Sequence, residues 1–160
     1  SKGVISYHFA GKEDLMREVI AQTFKDGRDW TDSLLERDGP ATEKLREYID
    51  GNVEFIKKNP AHLRALLEIF QNHRRDDGSH FFENAARHEA SSLLFIDTVL
   101  QQGQQRGEFR RFSTRDVATM IRGAVEVMPM RRLSDPDFDI DAYGAELFEL
   151  FSRAIRANGP

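Results

Sequence analysis

Residues 139–155 read DIDAYGAELFELFSRAI, and within them Ile140, Tyr143, Gly144, Leu147, Phe148, Phe151, Ala154 and Ile155 fall at offsets 0, 3, 4, 7, 8, 11, 14 and 15. That spacing follows the 3.6-residue period of a helix buried along one stripe, whereas a half-buried strand would alternate at every second residue. Asp139 stands where an N-cap belongs, and Phe138 before it can staple onto Tyr143. Leu150 widens the stripe beyond what one core neighbour needs.

Working outward, the same period recurs along the chain. Gly11 can cap a helix running from about Lys12 into the thirties, with Glu13 and Asp14 in its first turn and Leu15, Val19, Ile20 and Phe24 on its stripe. Asp38-Gly39-Pro40 breaks it, and a second helix carries Leu45, Tyr48, Ile49, Asn52, Val53 and Ile56 up to Asn59-Pro60. Leu63, Leu66, Leu67 and Phe70 continue the pattern, and the polar run HRRDDGS at 73–79 reads as a loop. From Phe81 a long helix aligns Phe82, Ala85, Ala86, Glu89, Ser92, Leu93, Ile96, Val99 and Leu100 and ends near Gly103 or Gly107. Ser113 caps the next helix, with Asp116 three residues on and Phe112 placed to staple onto Val117. Met120, Ile121, Ala124 and Met128 share its face until Pro129, which is expected to kink or end it. The spacing therefore predicts an all-α helical bundle.

Composition narrows the function classes. The 160 residues are 39% hydrophobic and 31% charged, with 12 Phe, which suits a packed globular chain and not a disordered one. With no Cys, thiol nucleophiles, disulfides and cysteine-based zinc sites are excluded. No apolar run reaches the length of a membrane span and SKGVISYHFAGKEDL has no secretory core, so a soluble, cytoplasmic chain without membrane contact is expected. A net charge of −4 restricts any nucleic-acid contact to a local patch. His73, Asp76, Asp77, His80 and Glu83 form a His and carboxylate cluster too loosely spaced for a metal, and no Glu has a His three residues on. Without a Gly-rich phosphate loop or a GxSxG elbow, the sequence predicts no enzyme, no metal and no cofactor.

The opening SKGVISYHFAGKEDL, residues 1–15, resembles the end of the helix-turn-helix of tetracycline-repressor-like (TetR family) transcriptional regulators, in which a recognition helix ends in a Tyr-His-Phe run before a Lys-Glu helix start. GQQRGEF at 103–109 and SDPDFDIDAYGAELFELF at 134–151 look like the C-terminal half of the same family. The resemblance implies a remnant DNA-binding domain over 1–28 and a larger effector-binding and dimerisation domain over 29–160. The sequence starts inside the motif, and an unbraced recognition helix is expected to bind no operator tightly by itself. The implied protein is a ligand-responsive regulator, a repressor released from a palindromic operator by a small hydrophobic effector. A helical protein-interaction module without DNA binding is the alternative.

Residue by residue, the resemblance places Lys2, Gly3, Val4 and Ser6 toward the DNA groove, and Tyr7, His8 and Lys12 toward backbone phosphates. Val4 and Ser6 depart from the family pattern, which more often has a small polar residue and an aromatic there. Lys12 also has its own physical warrant, because it joins the free N–H groups and positive dipole end of a helix.

For the effector chamber, polar residues that interrupt apolar stripes are the candidates: Asn52, His62, Glu89 and Ser92. Each has a plainer reading, since Glu89 can pair with Arg64 or Arg122, Asn52 can bond a neighbouring carbonyl, and His62 can lie exposed. Phe24, Trp30, Tyr48, Phe55, Leu66, Phe70, Phe95 and Met120 are the apolar wall candidates, and ordinary core packing explains them equally well. The last two helices, about 113–132 and 139–157, carry apolar residues over wide arcs. A homodimer is expected to pair through Ala124, Met128, Tyr143, Leu147, Leu150, Phe151 and Ala154.

Overall fold

A computed structural model describes residues 12–64 and 79–157 of the chain. Five helices carry the architecture: α1 (Lys12–Glu36), α2 (Ala41–Lys58), α3 (Ser79–Gln105), α4 (Thr114–Ser134) and α5 (Ile140–Ile155). Residues 60–64 are helical as well. Among the described residues there is no named strand, only a bridge between Phe109 and Arg156. The all-α expectation holds.

The helix starts follow the caps legible in the sequence. Ser113 accepts from the Asp116 amide at 3.4 Å, and Asp139 accepts from Ala142 at 2.9 Å. The Phe138 ring meets Tyr143 edge-on at 5.4 Å, which is the predicted staple. Of the two outcomes expected at Pro129, ending does not occur: α4 continues to Ser134, close to the expected end near 132. The backbone bond lost there is offset by Met128, which is wholly buried, by Leu133 against the core, and by Arg131 lying over the Phe138 ring at 4.3 Å.

The core forms where α2, α3 and α4 converge. Leu45, Tyr48 and Ile49 of α2 meet Ile96, Val99 and Leu100 of α3 and Ile121, Val125 and Met128 of α4. α3 packs along α4 and α1, and α5 lies mainly on α2. Lys57 reaches from α2 to Asp141 of α5 at 2.9 Å and to Glu54 at 3.3 Å. Hydrogen bonds from Lys58 and Lys57 hold the Glu54 carboxyl below the usual carboxylate range, while Asp141 and then Glu54 raise the Lys57 ammonium. The depressed carboxylate adds stability above its unfolded-state value and loses it as the pH falls; the raised ammonium does so below its unfolded-state value and loses it as the pH rises. All these groups face solvent, so the network is a weak tie.

The α3–α4 connection clamps the opposite end of the bundle. Pro40 begins α2 without a side-chain cap. The carboxylate of Glu108 fills that role from 66–67 residues away, accepting from Ala41 N at 3.0 Å and from Thr42 N at 3.2 Å. Arg106 donates to the Gly39 carbonyl at 2.6 Å, and Lys44 donates to Leu35 O at 2.9 Å, so the end of α1 is satisfied too. Gly107 supplies the left-handed turn with φ of 75°. Replacing Glu108 by Gln keeps the shape but removes the charge from the α2 N-terminus. We expect it to lower the unfolding free energy by about 1 kcal/mol in urea titration, and an unchanged midpoint would argue against the cap.

Candidate functional site

Tyr48 sits at the meeting point of four helices. Its place on the α2 stripe buries it to 1% exposure, and its ring stacks with two others. Phe95 of α3 lies 5.2 Å away and Trp30 of α1 lies 6.2 Å away, the latter tilted by only 14°. Gly51 makes room for the indole, because a Cβ there would come within 2.3 Å of the Trp30 ring. One helical turn along α2 from Tyr48, Asn52 donates to the Tyr48 carbonyl at 2.7 Å. Ser92, one turn before Phe95 on α3, is buried.

The fourth helix contributes a charge. Arg122 of α4 donates through Nη1 to the Tyr48 hydroxyl at 3.2 Å and through Nη2 to Glu126 at 2.9 Å. Its side chain is 13% exposed, and the buried Nε–H has no partner among the described residues. Buried donors are seldom left this way, since an unmet N–H costs roughly 1–3 kcal/mol. Asp97 Oδ1 and Gln102 Oε1 are likewise buried and unmatched. The arrangement thus sets an apolar aromatic stack against a largely buried cation whose Nε–H is unmatched among the described residues.

The expected chamber residues separate into three groups. Tyr48, Ser92 and Phe95 are buried, and Trp30, Asn52 and Phe24 are half-buried. Phe55, His62, Glu89 and Met120 stand on the surface, Met120 at 60% exposure, so they line no interior wall within this chain. α4 is apolar on two faces and the core takes the one holding Ala118, Ile121, Val125 and Met128, which turns Met120 outward. Glu89 does not take Arg122, whose bonds go to Tyr48 and Glu126. Leu66 and Phe70 lie outside the described residues.

The remaining expectations sort in the same way. Lys2, Gly3, Val4, Ser6, Tyr7 and His8 lie outside the described residues, as do His73, Asp76 and Asp77 and the side chains of Lys12, His80 and Glu83. Among the described residues no group of His or carboxylate side chains is arranged to hold a metal. Two residues expected between protomers are corrected: Met128 is fully buried in its own core and Leu147 nearly so, because both fall on the inner stripes of their helices. Leu150 and Ala154 are exposed, and Ala124, Tyr143 and Phe151 are half-buried. The Tyr143 hydroxyl donates to the Ala124 carbonyl at 3.1 Å, which joins α5 to α4.

Arg122 is the residue that sequence reading undervalued, having appeared only as a partner for Glu89. Its signal was faint: the one cation between Arg115 and Arg131 on that helix, next to Ile121 and one turn before Glu126.

No protein-family model matches this sequence, and no curated protein matches it. Solved structures do share the fold. The transcriptional regulator FadR from Bacillus subtilis in complex with stearoyl-CoA superposes with a TM-score of 0.69 at 20% identity, covering 98% of this chain and 83% of that one. FadR from Bacillus halodurans, described as a fatty acid degradation regulator, gives 0.68 at 22% identity with the same coverage. A putative transcriptional regulator from Saccharomonospora viridis in complex with choline gives 0.72 at 20% identity over 99% of this chain and 82% of that one. At such identities the likeness establishes the fold.

Proposed function

We propose that this chain is the effector-sensing body of a TetR-like DNA-binding transcriptional regulator, a homodimer that leaves a palindromic operator when a small hydrophobic compound binds. The observation that carries this reading is the aromatic stack of buried Tyr48 and Phe95 with half-buried Trp30, bonded by Arg122, in a fold also found in regulators solved with stearoyl-CoA and with choline. The Tyr-His-Phe run at 7–9 and the Lys-Glu pair at 12–13 support the DNA side of the proposal. The division near residue 28 falls inside the continuous helix α1, so a displacement in the effector-binding body would reach the DNA-binding end through one rigid rod. Lys12 opens that helix and would meet backbone phosphate there. A coupling of about 1–3 kcal/mol between the two sites would lower operator affinity by one to two orders of magnitude. Nothing in this reading asks the chain to catalyse a reaction.

The dimer proposal rests on α4 and α5. Met120, Val127 and Met130 of α4 and Leu150 of α5 are large apolar side chains left on the surface. Gly123 faces open space on the same side of α4. Leu150→Glu is expected to give a folded monomer in light scattering, because the position is 58% exposed and tolerates charge only when no partner covers it. Leu147→Glu would be ambiguous, since it places a charge inside the fold. An unchanged dimer mass for Leu150→Glu would remove this surface from the interface.

The test of the function uses the full-length protein and the DNA flanking its gene. Compounds that raise its melting temperature in a panel of hydrophobic small molecules are added to the protein–DNA complex, and release at the concentrations that stabilise the protein is expected. Failure of the full-length protein to bind that DNA, or stabilising compounds that leave binding unchanged, would favour a helical interaction module instead.

A further inference from the structure

Four positions of α4 form a seam left open among the described residues. Met120 is 60% exposed, Met130 49% and Val127 39%, and a Cβ on Gly123 would meet nothing within 4 Å. Their offsets of 0, 3, 7 and 10 keep them within roughly 80° of one another around the helix, which is the spacing of the a and d positions where helices pair. The seam is also complementary to itself. Met120 and Met130 lie symmetrically about position 125, and so do Gly123 and Val127. Two copies of α4 laid antiparallel across a two-fold axis therefore set each Met120 against the second copy's Met130, and each Val127 over the space beside the second copy's Gly123. What such a contact buries is largely sulfur. The chain has four methionines and no cysteine, and Met128 is fully buried, so Met120 and Met130 carry the solvent-facing sulfurs among the described residues. A thioether packs as an apolar group, whereas its sulfoxide is a polar acceptor that a dry helix contact leaves unmet.

We propose, on the dimer reading given above, that Met120 and Met130 are a modification site at which a peroxide holds the two copies apart. Hydrogen peroxide transfers one oxygen to each sulfur: the O–O bond breaks, an S–O bond forms, the sulfur gives up two electrons and the peroxide leaves as water. Pairing covers these sulfurs and the free chain exposes them, so oxidation captures chains while they are separate and keeps them so. Because the two thioethers face each other across the axis, one sulfoxide at either position reaches both halves of the contact.

The full-length protein is treated with hydrogen peroxide, its peptides are read by mass spectrometry, and self-association is followed by light scattering over a concentration series. Added oxygen is expected on Met120 and Met130 ahead of Met128, and more slowly as rising protein concentration favours the dimer. The dimer dissociation constant is expected to rise roughly tenfold or more, the effect of one unmet buried acceptor. Methionine sulfoxide reductases should restore it. The Met120→Leu/Met130→Leu variant keeps the apolar volume, so it should pair as before and ignore peroxide. Met120→Gln sets a polar group on the seam without any oxidant and should weaken the dimer by itself. An unchanged dissociation constant with both sulfoxides present would overturn the proposal. So would an equal loss of dimer in the Met120→Leu/Met130→Leu variant, or oxidation of Met128 first. A protein that is monomeric before treatment would overturn the dimer reading together with this one, whereas a dimer indifferent to its sulfoxides overturns this one alone.

Discussion

Tyr48→Ala is expected to lower the unfolding free energy by about 3–5 kcal/mol, the range for removing a large buried aromatic side chain. The loss has three parts. The ring leaves a cavity among Leu45, Ile49 and Phe95, the stacks with Phe95 at 5.2 Å and Trp30 at 6.2 Å disappear, and Arg122 loses the oxygen that receives its Nη1. For a chain of this size the melting temperature should fall by roughly 2–4 °C per kcal/mol. Tyr48→Phe isolates the last part and should cost about 1 kcal/mol. Calorimetry on both variants separates packing from polar satisfaction. Near-equal melting temperatures for Tyr48→Ala and the parent would show that the ring does not hold the four helices together.

Gly144→Val is the second large effect. A Cβ at Gly144 would stand 2.8 Å from Val53 Cγ2 and 3.7 Å from Ile49 Cγ2, both on α2 and both buried. Neither neighbour is the free end of a flexible chain, so α5 itself must move outward from α2. That strains the contacts which seat it, including Arg46 over the Phe148 ring at 3.8 Å. Overpacking of this kind costs about 1–3 kcal/mol. Gly144→Ala provides the sharper reading, since at an exposed helical site the same change would add about 1 kcal/mol of stability. A lower urea midpoint for Gly144→Ala, and a lower one still for Gly144→Val, is the expected order; a gain for Gly144→Ala would mean that α5 does not pack closely on α2.

The two predictions differ in how much of their basis was visible in the sequence. Tyr48 lies on a clear apolar stripe, so its burial followed from spacing. Its ring partners did not, because α1 and α3 bring Trp30 and Phe95 to it from 18 and 47 residues away. Gly144 read as one more position on the α5 stripe, and only the approach of α2 shows why no larger residue fits. Met120 and Met128 show the limit from the other side. Met120 was expected at the chamber wall and Met128 between protomers, and the helix neighbours put Met128 inside and left Met120 exposed.

Local periodicity and cap chemistry by themselves determined the all-helical class, the starts of α4 and α5 and the break at Asp38-Gly39-Pro40, because those depend on residues within a turn or two of one another. The tertiary structure alone decided which face of α4 is inside, that Glu108 caps α2 from a distant connection, and that Arg122 closes the aromatic stack with a donor to spare. Burial, charge pairing and hydrogen-bond satisfaction are properties of groups that meet in space, and the spacing of residues along one helix carries no information about what the next helix brings.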